Sequence, residues 1–369
     1  MYFSIKPIDT LFFRNSRPFT MGSETFGDCI FPPYPSTFYG ALRSYLLLKN
    51  YTINDFLNGK FKDNDEIIKI IGTKNQKGKL KIKGPFIKKQ DQIYFPKPLD
   101  LLGVENDYSA SYLSLLDKPQ ILISDYPLEK ILINNQIEGK IKDDEYFLDI
   151  ENLKKYLTKQ KEIKISKFNI YKKELKTGIK RNPNTKNTEE GHLYRIPLIR
   201  LSKEIEIIFK VDNNIESPIP LDNDVIKFGG ENKVSIIYPL TDDLLKELED
   251  IDFSINENKI FKIYFATPSI FKKGYLPEWI DENTLEGEYK HIKLKLVACS
   301  TGKFIRIGGW DIANNKPKPL YKAIPSGSIY YFKILDNSDF NKIKQVFHLK
   351  NISDINSEEG FGLTLMGTN

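Results

Sequence analysis

The order of predicted elements places this chain in the α+β class. It reads as two ferredoxin-like βαββαβ domains with a projecting β-hairpin thumb and a C-terminal glycine-rich loop. Three observations lead there. Strand-like and helix-like runs follow one another as strand, helix, hairpin, helix, strand. The same rhythm returns in the second half. The 369 residues suit two domains of roughly 100–200 residues each. We place the boundary near residue 200. The N-terminal domain is then 1–200, with the thumb at about 160–200, and the C-terminal domain is 201–369, with the glycine-rich loop at 360–367.

The first element is a strand from Tyr2 to Ile8, where apolar and polar residues partly alternate. A Gly- and Pro-rich stretch from Arg14 to Pro35 follows, and a loop of that length is expected to bind something. Ser36 is the expected N-cap of a helix whose apolar set is Phe38, Leu42, Tyr45, Leu46 and Leu48. Residues 52–78 are polar and read as a surface insertion. Two strand-like runs between Leu80 and Pro98 flank the turn KKQDQ and predict a hairpin. Residues 100–150 give no assignable pattern, and Asp149–Thr158 predicts a short helix. The thumb strands are expected near Phe168–Leu175 and His192–Arg200, around the polar tip RNPNTKNTEEG.

In the second half, EIEIIFKV (204–211), KIFKIYFATPSIF, HIKLKLVACS and SIYYFKIL are strand candidates. Phe340–Leu349 predicts a late helix, followed by GFGLTLMG (360–367).

Composition excludes several function classes. Cys29 and Cys299 are the only cysteines, and His192, His291 and His348 the only histidines, none close to another. A disulfide framework, a Cys-based zinc module and a His-based metal pair are therefore unsupported. No phosphate loop of the GxxxxGK[ST] kind occurs, and GFGLTLMG is not the GxGxxG of dinucleotide binding. We expect no cofactor and no metal. No apolar run reaches the ~20 residues a membrane span needs, and MYFSIKPIDT is not a signal peptide, so a cytoplasmic protein without membrane contact is expected.

The net charge of +6 is unevenly distributed. Lys154–Arg181 holds eleven Lys/Arg and two Glu, and Lys60–Lys89 ten Lys and three acids; the rest of the chain is net negative. A segregated basic surface suits a polyanion, whose counterions Lys and Arg release. Tyr156, Phe168 and Tyr171 interleave the first window and suit stacking on unpaired bases. A solvated Lys-rich surface with inward aromatics fits the same numbers, and charge alone leaves both readings open.

Three motifs carry candidate chemistry. FRNSRPFTMGSETFGD…FPPYPSTFYGALR (13–43) offers arginines, close-approach glycines and a helix start that favours an anion. TGIKRNPNT…EEGHLYR (177–195) places Lys180 and Arg181 on the thumb. GFGLTLMG could let an RNA backbone lie on the main chain, although a Gly-rich turn explains it as simply. Further Gly/Pro junctions are FGGE (228–231), ATPSIFKKG (266–274), GGWD (308–311) and KPLYKAIPSGS (318–328), with Trp310 expected in the core.

In this order, these segments resemble the RAMP-superfamily subunit of type III-B (Cmr) CRISPR effector complexes that holds the 5′ handle of the guide RNA. The resemblance covers nearly the whole chain except about 52–78 and 100–150. It implies two RRM-like domains and a non-catalytic RNA-binding role in antiviral defence. It implies as partners the crRNA, target RNA near the handle, the large polymerase/cyclase-like subunit and the backbone RAMP subunits. Carried over by matched position, the RNA-facing residues are Arg14, Arg17, Gly22, Ser23, Ser36, Thr37 and Arg43; Lys180, Arg181, Asn182 and Thr185 of the thumb; and Gly360, Phe361, Gly362 and Gly367 of the glycine-rich loop. The last strand is expected to be short or completed by a neighbouring subunit. The alternative is a RAMP endoribonuclease processing the crRNA precursor, with His192, or a Tyr or Lys in its place, as the acid–base group.

Overall fold

The computed structural model describes residues 1–15, 26–103, 108–119, 126–135, 145–212, 222–253 and 259–369. It is a mixed α/β structure in which strands predominate. The chain divides into two units, each drawn from three separate stretches. Unit 1 is Met1–Ile82, Asn169–Thr241 and Arg306–Tyr321; unit 2 is Lys83–Phe168, Asp242–Ile305 and Lys322–Asn369. The division does not fall at residue 200. Strand Ile205–Val211 pairs with the opening strand Tyr2–Pro7, so it belongs with the first unit. Pairing between such distant segments leaves no mark on local periodicity.

In unit 1 the strands neighbour one another in the order Asp224–Lys227, Val234–Leu240, Tyr2–Pro7, Ile205–Val211, all antiparallel. Helix Pro35–Asn50 packs Phe38 on Phe209 and Phe228, with ring centroids 5.7 and 4.9 Å apart. Phe38, Leu42 and Leu46 recur at the spacing of a buried helical face, whereas Leu48 turns to solvent. The 52–78 stretch is less of a surface insertion than its polarity suggests. It forms helices Ile53–Asn58 and Glu66–Ile71, and sends Phe56, Ile70 and Ile71 into the same core. Thr52 and Asp65 cap them, each accepting from backbone N–H groups of the first turn. The long hairpin Tyr171–Arg181/Thr188–Leu201 is also in this unit. Its base is anchored by Ile196, Leu198 and Ile199, with Ile199 bridged to Leu11.

Unit 2 holds an antiparallel sheet in the order Glu286–Tyr289, Ile292–Ser300, Ile329–Ile334, Ile260–Phe265, Leu363–Thr368, Lys350–Asn351. The last strand is six residues long; it pairs along Thr364–Thr368 with Ile260–Phe265 and, at Leu363 and Thr364, with Lys350–Asn351. One face carries Phe261, Ile263, Phe265 and Phe332 against Phe340, Ile343 and Phe347 of helix Phe340–Phe347. Asp339 caps that helix through the Lys342 N–H at 2.8 Å. The opposite face carries Lys262, Tyr264 and Tyr331 and meets helix Ile150–Leu157 through Tyr156. This sheet is therefore covered on both faces, and its central strand Ile260–Phe265 is buried throughout. No helix lies between Ile260–Phe265 and Glu286–Tyr289. The chain there turns irregularly and packs Phe271, Leu276, Ile280 and Leu285 into the core.

The expected hairpin is present as Ile82–Lys89 and Gln92–Pro96, with Phe147–Asp149 alongside. The described part of 100–150 consists of short strands.

Candidate RNA-binding surface

The hairpin is longer and its tip shorter than the composition suggests. Ladder pairing runs from Tyr171↔Leu201 to Arg181↔Thr188, leaving residues 182–187 as the turn. Asn182 organises that turn: its Oδ1 accepts from the N–H groups of Asn184 at 2.9 Å and Thr185 at 3.1 Å. Arg181 donates from Nε to the Lys186 carbonyl at 3.2 Å. Arg181, Thr185 and Lys186 are exposed and Asn182 is half-buried.

Three of the hairpin's eight Lys and Arg residues are matched by acids of unit 1. Lys180 pairs with Glu189 at 2.7 Å and Lys176 with Glu231 at 2.9 Å. Arg200 is held by Glu174 and by Asp9, the latter at 2.9 Å. Asp9 is kept below its ordinary pKa first by the Thr10 N–H and then by Arg200. Such exposed pairs contribute little stability. They do moderate the local positive excess that the linear charge count suggests.

The hairpin also has an apolar face that its sequence did not announce. Leu175, Ile179 and Leu193 are 63%, 47% and 42% exposed, and Ile179 lies directly opposite Leu193. Alternation along the strands was the available signal, masked by the surrounding lysines.

Around the opening loop, Arg14 is exposed and bridges to Cys29 through the backbone. Arg17, Gly22 and Ser23 lie outside the described residues. Ser36 is not the cap. Pro35 occupies the first helical turn, Tyr34 is the residue before the helix, and no side chain caps it. Ser36 and Thr37 are thus inside the first turn and half-buried.

Arg43 is held within unit 1 by two backbone carbonyls. Its Nε donates to Ile71 at 2.7 Å and an Nη to Thr73 at 2.8 Å, closing the C-terminal end of helix Glu66–Ile71. Its guanidinium also lies 5.4 Å from the Phe56 ring centroid. Arg43→Ala should lower unfolding stability by about 1.5–3 kcal/mol in a urea titration, with Lys a poor substitute because it lacks the fork. Loss of RNA affinity with stability unchanged would return Arg43 to the RNA surface.

The glycine-rich motif is buried within unit 2. Gly360, Phe361, Gly362 and Gly367 are all inaccessible. Gly362 adopts φ +70°, and a Cβ there would stand 2.5 Å from the Ser353 nitrogen. A Cβ on Gly367 would meet Lys262 Cε at 3.0 Å and the Leu157 carbonyl at 3.1 Å. The glycines are explained by chain packing within unit 2: Gly362 lets the backbone turn beside Ser353, and Gly367 lets the Lys262 stem cross the sheet. Trp310, expected in the core, is 55% exposed.

A family model described as CRISPR-associated protein (Cas_Cmr3) matches residues 3–369. The chain belongs to that family. It is 25% identical over 339 residues to the CRISPR system CMR subunit Cmr3 of Saccharolobus solfataricus (strain P2), a match spanning 90% of this chain and 86% of that one. Its fold is similar to a chain of the type III-B Cmr-beta complex bound to cognate target RNA, with a TM-score of 0.52, 18% identity, and coverage of 99% and 96% of the two chains. A second structure of Cmr-beta, with cognate target RNA and AMPPnP, gives a TM-score of 0.51, 20% identity, and coverage of 90% and 86%.

The histidines of this Cmr3-family chain differ in environment. His348 is buried, with Nε2 2.6 Å from the Leu248 carbonyl and Nδ1 accepting from the Met366 N–H at 3.2 Å. Burial pushes it down to about 4, so it is a neutral structural residue. His291 is exposed beside Glu288, and His192 is half-buried on the hairpin. Among the described residues no group of three or more His, Cys, Asp or Glu is placed to hold a metal, and no helix is long and apolar enough to cross a membrane.

Proposed function

We propose that this chain is a non-catalytic RNA-binding subunit of a type III-B CRISPR interference complex. It holds the 5′ handle of the crRNA and bridges the large polymerase/cyclase-like subunit to the backbone RAMP subunits, in the cytoplasm. The observation that carries the reading is the family match over 3–369, in a chain whose long hairpin presents an ordered tip of exposed cations and amides. RNA as a ligand and other Cmr subunits as partners are supported by the similar fold of chains in Cmr-beta with target RNA.

The two ferredoxin-like units remain part of this reading. In unit 2, strand Ile329–Ile334 lies between Ile260–Phe265 and Ile292–Ser300, and Leu363–Thr368 flanks Ile260–Phe265 on the other side. A split βαβ arrangement has that order, here with irregular chain where its first helix would stand. In unit 1 the opening strand likewise lies between the third and last major strands, Ile205–Val211 and Val234–Leu240.

The pairing pattern refines which thumb residues matter. Arg181 and Lys186 at the tip form no salt bridge among the described residues, whereas Lys180 is tied to Glu189. Arg181→Ala with Lys186→Ala should weaken crRNA binding and reduce its log–log salt slope by about one unit for each phosphate no longer neutralised; Lys180→Ala should do less. A filter-binding titration across salt concentrations measures both. An unchanged slope in the double variant would remove the tip from the phosphate-binding surface. Incubation with repeat RNA in the absence of metal tests the endoribonuclease reading: specific cleavage lost in His192→Ala would favour it, and no cleavage would count against it.

A further inference from the structure

The basic window Lys60–Lys89 lies outside the hairpin, and its unit 1 part includes a tightly framed loop. From Ile67 to Ile82 there are five lysines and no acid. Helix Glu66–Ile71 stops at Gly72, and the chain returns through Gly78 to run beside it. The Lys79 and Leu80 N–H groups donate to the Lys69 and Ile70 carbonyls at 3.0 and 2.9 Å. This return needs both glycines. A Cβ on Gly72 would stand 2.2 Å from the Gln76 carbonyl oxygen, and one on Gly78 2.2 Å from that of Ile70. The Thr73 N–H closes the turn on the Gln76 carbonyl at 2.8 Å, and the Arg43 guanidinium holds the Ile71 and Thr73 carbonyls.

The frame presents polar groups alone. Lys74, Asn75, Gln76 and Lys77 are exposed at the turn, and Lys79 and Lys81 on the outgoing segment. There the lysines alternate with Leu80 and Ile82, which are fully buried, so the core takes the aliphatic residues and leaves both lysines on the other side. Lys74 and Lys81 form no salt bridge among the described residues, unlike Lys176, Lys180 and Arg200 of the hairpin. Two acids border the segment. Glu66 is paired with Lys69 at 2.6 Å, and Asp212 meets it through a backbone N–H on the Lys81 carbonyl at 2.9 Å. Cations on an ordered frame suit a row of phosphates, whose condensed counterions they release. Protein interface centres are instead depleted in lysine and enriched in aromatics. Base stacking needs a ring, and Gly72–Lys81 has none.

We propose that Gly72–Lys81 is a sequence-independent contact for the phosphate backbone of an RNA strand, with Lys74 and Lys81 as its principal cations. The proposal rests on the RNA-binding reading above and adds to it a site outside the hairpin.

Filter binding by the full-length protein across salt concentrations tests it, with unstructured single-stranded RNAs of two unrelated sequences as probes. Lys74→Ala combined with Lys81→Ala should lower the log–log salt slope by about 1.4, at about 0.7 for each single-strand phosphate no longer neutralised. The loss should be equal for the two sequences, because no base is read. Lys74→Arg combined with Lys81→Arg should keep the wild-type slope, because the charge is retained. The substituted side chains are exposed, so urea unfolding of both variants should match the wild type. RNA bound by the alanine variant with unchanged affinity and slope overturns the loop site and leaves the RNA-binding reading standing. No RNA bound by the wild type at low salt removes both. A loss confined to one of the two sequences makes the loop a reader of bases and overturns the backbone contact. If the alanine variant keeps its RNA affinity but loses a protein subunit from the assembled complex, the loop is a contact for an acidic protein surface and the proposal fails.

Discussion

Asp100→Ala is expected to destabilise the protein by about 3–5 kcal/mol, as removal of one partner from a buried ion pair does. Asp100 and Lys262 are both fully buried in unit 2, with Nζ 3.9 Å from Oδ2. The carboxylate accepts from the Tyr156 hydroxyl at 2.7 and 2.9 Å and from Tyr331 at 2.6 Å. The Lys262 ammonium has no hydrogen-bond partner among the described residues. It lies 3.5 Å from the Tyr156 ring centroid and 4.9 Å from that of Tyr112, whose other neighbour is the Lys159 ammonium at 4.4 Å. Removing Asp100 leaves a buried ammonium with only aromatic faces and takes the acceptor from two buried hydroxyls. Asp100→Asn combined with Lys262→Met should recover most of the loss, because the amide still accepts and no charge remains.

The pH dependence has a definite sign. Burial pushes Lys262 down to about 7 from its ordinary 10.5, with Asp100 opposing and Lys159 reinforcing the shift. Below about pH 7 the lysine is protonated folded and unfolded, and contributes no slope. Between about 7 and 10.5 the unfolded chain holds the extra proton, so this group makes stability rise with pH. Asp100→Ala lowers the folded pKa further, so its effect should be larger near pH 6 than near pH 9. Urea unfolding of both variants at the two pH values measures this. A loss below about 1 kcal/mol in Asp100→Ala would show that the cluster is not a buried ion pair in solution.

Gly362→Ala should cost on the order of 2–4 kcal/mol, from left-handed backbone strain together with overpacking. The glycine N–H donates to the Pro268 carbonyl at 2.7 Å and its carbonyl accepts from the Ile352 N–H at 2.9 Å, so the backbone is held at φ +70°. The added methyl group would meet Ser353 backbone and the Ser269 hydroxyl, at 2.5 and 2.9 Å. Thermal unfolding and RNA affinity of the folded fraction separate the two roles the motif can have. Reduced stability with intact affinity is expected. Intact stability with reduced affinity would falsify the packing role and restore the loop as an RNA contact.

Local elements were largely legible in the sequence. The opening strand, the helices Pro35–Asn50, Ile150–Leu157 and Phe340–Phe347, and the central strands of unit 2 all fall where periodicity places them. These depend on spacing within one segment, which a linear reading contains. Candidate site residues were less legible. Arg14 and the hairpin tip are exposed, but Arg43 is turned inward by the carbonyls of Ile71 and Thr73, and the glycine-rich loop by Ser353 and Lys262. An arginine or glycine looks the same in a string whether its partner is a phosphate or a carbonyl elsewhere in the fold. Trp310 departs in the opposite direction: aromatic character argued for burial, and the Asp311–Asn314 turn holds it out.

The element types, the mixture of strands and helices, the segregation of charge and the motif order that points to the family are all present in the linear chain. Each of these is carried by neighbours in the chain or by composition. The tertiary structure alone decided which strands pair across the chain, how the two units are assembled from three stretches each, and which cations keep their charge for a partner. Lys180 and Arg200 are matched by acids, Lys262 is buried against Asp100 and two tyrosines, and Lys74 and Lys81 remain at the surface without a salt bridge among the described residues. Charge availability depends on distance and burial, and both are set only when distant segments meet.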